Sequence, residues 1–231
     1  MYRKQQGFTL VEIAIVLVII GLLLGGVLKG QELINSAKVK NMINDFRSAS
    51  TFVFAYQDRF KALPGDDTRA ATNLNGGTAA TTPAGTLGNA RINGAWNSLT
   101  KTDESYLFWQ HVRLAGFATG DPTVPAGAAA AADAYNARNA DGGRLGITGD
   151  AVITGSTWAA NFFICSAGIQ GRFARQIDTT IDDGNTATGT VRVIGTVAEN
   201  VAAPAGLASA AAPTNLTATE DATLVTICQA F

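Results

Sequence analysis

Glu12 is an acidic residue within a run of apolar side chains, and its position needs a chemical explanation. The run covers residues 8–28 and carries no other charge. At about 1.5 Å per residue, a helix of this length crosses a hydrocarbon core roughly 30 Å thick. A carboxylate there is costly unless it is protonated, reaches the headgroups or finds a cationic partner. Glu12 therefore predicts either a passive side chain or an ion pair with a group outside the apolar run.

Arg3 and Lys4 precede the apolar run, and no acidic residue accompanies them. By the positive-inside rule, they place the N-terminus in the cytoplasm and the rest of the chain outside it. A secretory signal peptide would carry its cleavage site behind a shorter apolar core. Here Gly7 lies ahead of the run, so a cut at that point leaves the whole apolar helix on the mature protein. The sequence predicts a membrane-anchored protein that faces away from the cytoplasm.

The segment Gly-Phe-Thr-Leu-Val-Glu at 7–12, with the apolar stretch to Leu28, resembles the N-terminus of type IV prepilins and type II secretion pseudopilins. The resemblance implies that prepilin peptidase cuts between Gly7 and Phe8 and that Phe8 is then N-methylated. It also implies that Glu12 pairs with the new amine of Phe8, in its own chain or in a neighbouring subunit. This pairing would guide each subunit into a growing filament.

The resemblance further implies a structural subunit of a type IV pilus or pseudopilus, polymerised through its apolar helix, and not an enzyme. Its partners would be identical or related pilin subunits, prepilin peptidase, the inner-membrane assembly platform and the lipid bilayer. The precursor would lie in the inner membrane with its N-terminus in the cytoplasm. Its globular domain would be periplasmic, and the finished filament periplasmic or extracellular.

Alternatives within and beyond this family stay open. Gly21 or Leu22 stands where major pilins often carry a proline, which favours a type II secretion pseudopilin or a divergent pilin. A minor pilin acting in secretion, adhesion or DNA uptake has the same N-terminal features. A membrane-anchored surface protein that never polymerises would need only the apolar helix.

Cys165 and Cys228 are the two cysteines of the chain, and both lie in the region expected to be exported. An even pair in an oxidising compartment predicts a disulfide, with two free buried thiols as the alternative. The bond would close a loop of about 60 residues and contribute roughly 4 kcal/mol. The family resemblance agrees, because many pilins fasten their C-terminal region with a disulfide.

An acidic cluster lies at the start of the last third of the globular region. Asp178, Asp182, Asp183 and Asn185 supply oxygen ligands of the kind that Ca²⁺ prefers, around Gly184 in a loop. The spacing is not that of an EF-hand, and Asp, Asn and Gly are also ordinary turn residues. The sequence therefore leaves two interpretations, a calcium site or a turn, and no other cofactor is expected.

The sequence gives little support to an enzymatic, nucleotide-binding or nucleic-acid-binding function. The single histidine, His111, falls in a helical pattern where a solvated or capping role is expected, and no nucleophile turn accompanies it. No Gly-rich phosphate loop follows a strand. The net charge of −1 and the absence of a basic cluster interleaved with aromatics argue against nucleic-acid binding.

The spacing of apolar residues along the chain predicts the helices and strands that position these groups. Beyond Lys29, apolar residues recur every three or four positions until Leu63-Pro64-Gly65 stops the helix. The predicted divisions are a leader at 1–7, a transmembrane and assembly helix at 8–28, its amphipathic continuation at 29–63 and an exported globular domain at 64–231.

The globular region has mixed patterns. It contains predicted helices at Glu104–Phe117 and Phe173–Ile181, predicted strands at Thr157–Ala167, Gly189–Val197 and Ala222–Cys228, and loops at 66–100, 118–143 and 198–221. The resulting fold class is α+β, a long N-terminal helical spine packed on a small antiparallel sheet, as in pilins.

Overall fold

The computed structural model describes residues 10–127, 129–153, 156–195 and 215–231. The chain divides into two compact units, Met1–Lys38 and Val39–Phe231. The fold is α+β, a long N-terminal apolar helix plus a small domain with a four-stranded antiparallel sheet. The predicted pilin-like fold class is confirmed.

Helix α1 extends over Leu10–Phe60 and ends where Lys61 adopts a left-handed φ of 54°. Within the second unit its buried side chains recur at helical spacing, as the sequence predicted. They are Val39, Met42, Ile43, Phe46, Ala49, Ser50, Val53 and Tyr56. Leu33, which continues the same apolar pattern towards the N-terminus, is 62% exposed.

Four strands form one sheet in the spatial order β1-β2-β4-β3, with every neighbouring pair antiparallel. Their bounds are β1 Leu145–Thr148, β2 Phe163–Gln170, β3 Val191–Gly195 and β4 Leu224–Ala230. Strand β3 lies within the strand predicted at Gly189–Val197, and β4 overlaps the strand predicted at Ala222–Cys228 and extends two residues beyond it. Strand β1 was not predicted, and β2 begins six residues later than the strand predicted at Thr157–Ala167.

The described residues contain four further helices. They are α2 Ala70–Asn73, α3 Glu104–Leu114, α4 Ala129–Tyr135 and α5 Gly171–Ile181, and a short 3₁₀ turn follows at Ala218–Glu220. The predicted helices at 104 and 173 are confirmed. The loop predicted at 118–143 contains α4 instead, whose Ala132 and Tyr135 are buried, and Tyr135 stacks on Tyr106. Within the predicted loop 198–221, positions 198–214 lie outside the described residues.

The core of the second unit lies between α1, α3, α5 and the sheet. Phe46, Phe108, Ile164 and Ile227 are each fully buried there. A smaller cluster on the other sheet face surrounds the predicted disulfide, which joins Cys165 of β2 to Cys228 of β4. The two cysteines are directly opposed in the strand register, with their Cα atoms 4.0 Å apart.

Candidate functional site

The apolar part of α1 exposes large side chains along its whole surface. Between Leu10 and Leu28, Leu, Ile and Val side chains are 46–89% exposed, and none of this stretch is buried by the described chain. The helix is long and apolar enough to cross a membrane, judged by its length and composition. A helix that is apolar on all sides needs lipid or other apolar helices as its environment.

Glu12 lies within α1. Gly7 and Phe8 lie outside the described residues. Cleavage between them, methylation of Phe8 and the pairing of Glu12 with the new amine therefore stay predictions.

Three buried carboxylates hold loops of the globular unit in place. Asp66 accepts hydrogen bonds from the backbone N–H groups of Gly88 and Ala90, and Asp67 accepts one from the Tyr56 hydroxyl at 2.8 Å. Glu104 at the start of α3 accepts the Asn93 N–H at 2.7 Å and the Thr86 hydroxyl at 2.9 Å. Donors to these carboxylates come from segments distant in sequence, which the linear pattern did not reveal.

Glu104 is fully buried, and burial raises its pKa to about 7. The Asn93 N–H and the Thr86 hydroxyl lower the pKa, while the charges of Asp66 and Asp150 raise it further. Because the folded pKa lies above the unfolded value, its stabilising contribution is complete below about pH 4.5 and is lost as the pH rises through about 7. The loss amounts to about 3 kcal/mol.

The variant Glu104→Gln removes this titration. We expect the unfolding free energy of the full chain in detergent, measured with urea between pH 4.5 and 8, to fall less with pH than that of the unmodified protein. The exposed Glu32→Gln is the matched control and should keep the original slope. Parallel pH profiles for Glu104→Gln and the unmodified protein would contradict the assignment.

His111 is not solvated, contrary to the expectation from its helical pattern, because it is fully buried between two loops. The Gly65 N–H donates to Nδ1 at 2.9 Å, and Nε2 lies 2.8 Å from the Thr78 carbonyl oxygen, to which it donates. Burial lowers the pKa of His111, against the smaller opposing effects of Thr78 and Asp67. Both ring nitrogens are engaged in joining loops, so the histidine has a structural role.

The acidic cluster of the sequence assembles at the end of α5. Oxygen atoms of Asp178, Asp182 and Asp183 lie within 4.8 Å of one another. Asp183 accepts the Asn185 N–H and the Thr188 hydroxyl, and the Asn185 side chain accepts the Ala187 N–H. Turn formation thus accounts for Asp183 and Asn185, and Asp178 is fully buried beside them. The calcium site stays a prediction.

The comparisons with known proteins concern the N-terminal segment. No curated protein and no solved structure significantly matches the chain. Residues 2–28 match the family model described as the prokaryotic N-terminal methylation motif. This range includes Gly7, Phe8 and Glu12 and ends at Leu28, where the apolar run of α1 ends. The chain therefore carries the type IV prepilin-type signature at its N-terminus.

Proposed function

We propose that this protein is a structural subunit of a type IV pilus or pseudopilus, made as a precursor and polymerised through residues 8–28. The observation that carries the proposal is the methylation motif at 2–28, which coincides with a helix whose apolar side chains stay exposed. A filament of like helices would bury this surface after subunits leave the lipid bilayer. The motif points to a structural, non-enzymatic protein family.

Processing provides the chemistry of assembly. Cleavage between Gly7 and Phe8 creates an amine about one helical turn from Glu12. An ammonium ion and a carboxylate attract strongly where water is excluded, so the amine of an incoming subunit would pair with Glu12 of its neighbour. Before cleavage this amine does not exist. The precursor would accordingly stay in the inner membrane until prepilin peptidase has acted.

The globular unit supports placement outside the cytoplasm. Its disulfide is the kind of bond that persists in an oxidising compartment. We propose that the unit is periplasmic in the membrane-bound subunit and forms the outer surface of the filament, which is itself periplasmic or extracellular. Identical or related subunits and an inner-membrane assembly platform would be its partners.

The processing step is tested by mass spectrometry of the protein produced together with a prepilin peptidase. We expect a mature chain that begins at an N-methylated Phe8. An intact Met1, or a cut at another position, would overturn the proposal. Electron microscopy of the same material separates a polymer subunit from a membrane-anchored protein that stays monomeric.

Replacement of Glu12 by alanine should reduce filament yield by about tenfold or more, because a pairing worth more than 1.4 kcal/mol per subunit is lost. Filaments sheared from cells and quantified by immunoblot provide the measurement. Glu32→Ala is the matched control, since Glu32 is an exposed acidic residue of α1 beyond the apolar run. Wild-type yield from Glu12→Ala would remove the pairing mechanism while leaving the processing result intact.

A further inference from the structure

The sequence contains two Asn-Gly pairs, Asn75–Gly76 and Asn93–Gly94. In such a pair the backbone nitrogen of glycine can attack the side-chain amide of the preceding asparagine, because glycine has no side chain to hinder the approach. The attack requires a glycine nitrogen that is free of strong hydrogen bonds and an amide group that can turn towards it. The two pairs have nearly the same local sequence, an apolar residue before asparagine and a small residue after glycine, so the fold decides which of them can react.

The pair Asn93–Gly94 is held in place by one carboxylate. The Asn93 side chain donates from Nδ2 to Asp150 Oδ1 at 2.8 Å, and the Gly94 N–H donates to Asp150 Oδ2 at 2.8 Å. Oδ1 of Asn93 also accepts a hydrogen bond from the Asn89 side chain at 2.8 Å, and Asn93 is only 7% exposed. The nucleophile and the amide that it would attack are therefore both fixed, and hydrogen bonds to a charged acceptor are the stronger class.

The pair Asn75–Gly76 is open to solvent. Asn75 is exposed, and neither its side chain nor the Gly76 N–H forms a hydrogen bond with any residue that the structure describes. A Cβ placed on Gly76 would find open space, with no atom of the described chain beyond the adjoining residues within 4 Å. The pair forms the tip of a turn in which the Gly77 N–H donates to the Leu74 carbonyl at 3.1 Å. Both reacting groups are therefore accessible to water and unrestrained by hydrogen bonds within the described residues.

Both ends of this turn are anchored in the globular unit. Leu74 is 4% exposed and belongs to a buried cluster with Tyr56. On the other side, the Thr78 N–H donates to Gln110 Oε1 at 3.0 Å, and the Thr78 carbonyl accepts a hydrogen bond from Nε2 of His111 at 2.8 Å. A chemical change at the tip would therefore leave the surrounding fold in place.

We propose that Asn75 deamidates spontaneously in the folded protein, whereas Asn93 is protected. The Gly76 nitrogen loses its proton to water or hydroxide and bonds to the carbonyl carbon of the Asn75 side chain. The carbon–nitrogen bond of the side-chain amide then breaks, and ammonia leaves after taking up a proton. Water opens the resulting succinimide ring at either of its two carbonyl groups, which produces aspartate or isoaspartate.

The products differ from asparagine in charge and, in one case, in backbone length. The net reaction consumes water, releases ammonia and exchanges an amide for a carboxylic acid, without oxidation or reduction. It adds a negative charge to the tip of the turn, and isoaspartate also adds a methylene group to the backbone. The modification does not depend on filament assembly.

Peptide mapping by mass spectrometry tests the proposal on the full chain incubated in detergent at pH 8. We expect the peptide that contains Asn75 to deamidate about tenfold or more faster than the peptide that contains Asn93, because the hydrogen bonds to Asp150 must break before Asn93 reacts. In urea, with the disulfide reduced, both peptides should deamidate at similar rates. An isoaspartyl methyltransferase should methylate the Asn75 peptide, because ring opening produces isoaspartate as well as aspartate.

Two variants complete the test. Asn75→Gln should suppress the reaction at this position, because ring closure through the longer side chain is much slower. Asp150→Ala releases the Gly94 N–H and the Asn93 side chain, so it should raise the deamidation rate of Asn93 towards the rate in urea. The comparison of the native with the urea-unfolded chain needs neither variant. Equal rates at Asn75 and Asn93 in the folded protein, or an unmodified Asn75 after a time in which the unfolded chain has reacted, would overturn the proposal.

Discussion

Replacement of Asp133 by alanine is expected to lower the free energy of unfolding by about 3–5 kcal/mol. Asp133 of α4 accepts a hydrogen bond from Nε of Arg144 at 3.0 Å, and the Arg144 side chain is only 1% exposed. The other end of the same guanidinium donates to the Asn97 carbonyl at 2.8 Å. Loss of the carboxylate would leave a buried cation without its counter-charge, which costs more than the pair contributes to stability.

Arg138 provides the matched control, because it pairs with the same aspartate from a position with 30% side-chain exposure. Arg138→Met should cost less than about 1 kcal/mol, as is usual for pairs near the surface. The double variant Asp133→Ala with Arg144→Met should recover part of the loss, because no cation is then stranded. Urea unfolding of the full chain in detergent, followed by tryptophan fluorescence, measures all three. Equal losses for Asp133→Ala and Arg138→Met would contradict the argument.

The double variant Cys165→Ala with Cys228→Ala is expected to lose about 4 kcal/mol. The bond closes a loop with a sequence separation of 63, and the chain-entropy estimate for such a loop gives this value. Both sulfur atoms belong to fully buried residues beside Trp96 and Trp158, so removal also leaves small voids. The loss should therefore reach or slightly exceed the entropic estimate.

Chemical reduction supplies the control for the disulfide. A reducing agent should shift the urea midpoint of the unmodified protein towards that of the alanine variant and leave the variant itself unchanged. An unmodified protein whose midpoint does not respond to reduction, although free thiols are then detected, would show that the bond contributes little.

The parts of the fold that could be predicted are those with a local pattern. The repeat of Met42, Phe46, Ala49 and Val53 indicated the buried side of α1, and the segment that contains β3 alternates as a strand does. Strand β1 could not be predicted, because its four residues, Leu-Gly-Ile-Thr, gain their extended form from pairing with β2. Helix α4 was missed because an alanine-rich segment has the composition of a loop in an exported protein, although alanine favours helix strongly.

The candidate sites likewise divide into those that a local sequence pattern indicates and those that depend on packing between distant segments. The N-terminal motif could be recognised in the sequence because Gly7, Phe8 and Glu12 are close neighbours whose spacing carries the information. The residues of the acidic cluster could be named from the sequence. The burial of Asp178 could not be predicted, because it depends on how α5 packs. Glu104 and His111 acquire their properties from loops far away in the chain, and no local pattern distinguishes them from surface residues.

The position of β4 has a consequence for how the chain matures. Strand β4 lies between β2 and β3, although it is made after both. A growing or truncated chain that lacks residues 224–230 therefore presents two unpaired strand edges, and such edges promote aggregation. Cys165 likewise has no partner until Cys228 arrives. The strand order therefore means that only a chain synthesised through β4 closes the sheet and seals it with the disulfide.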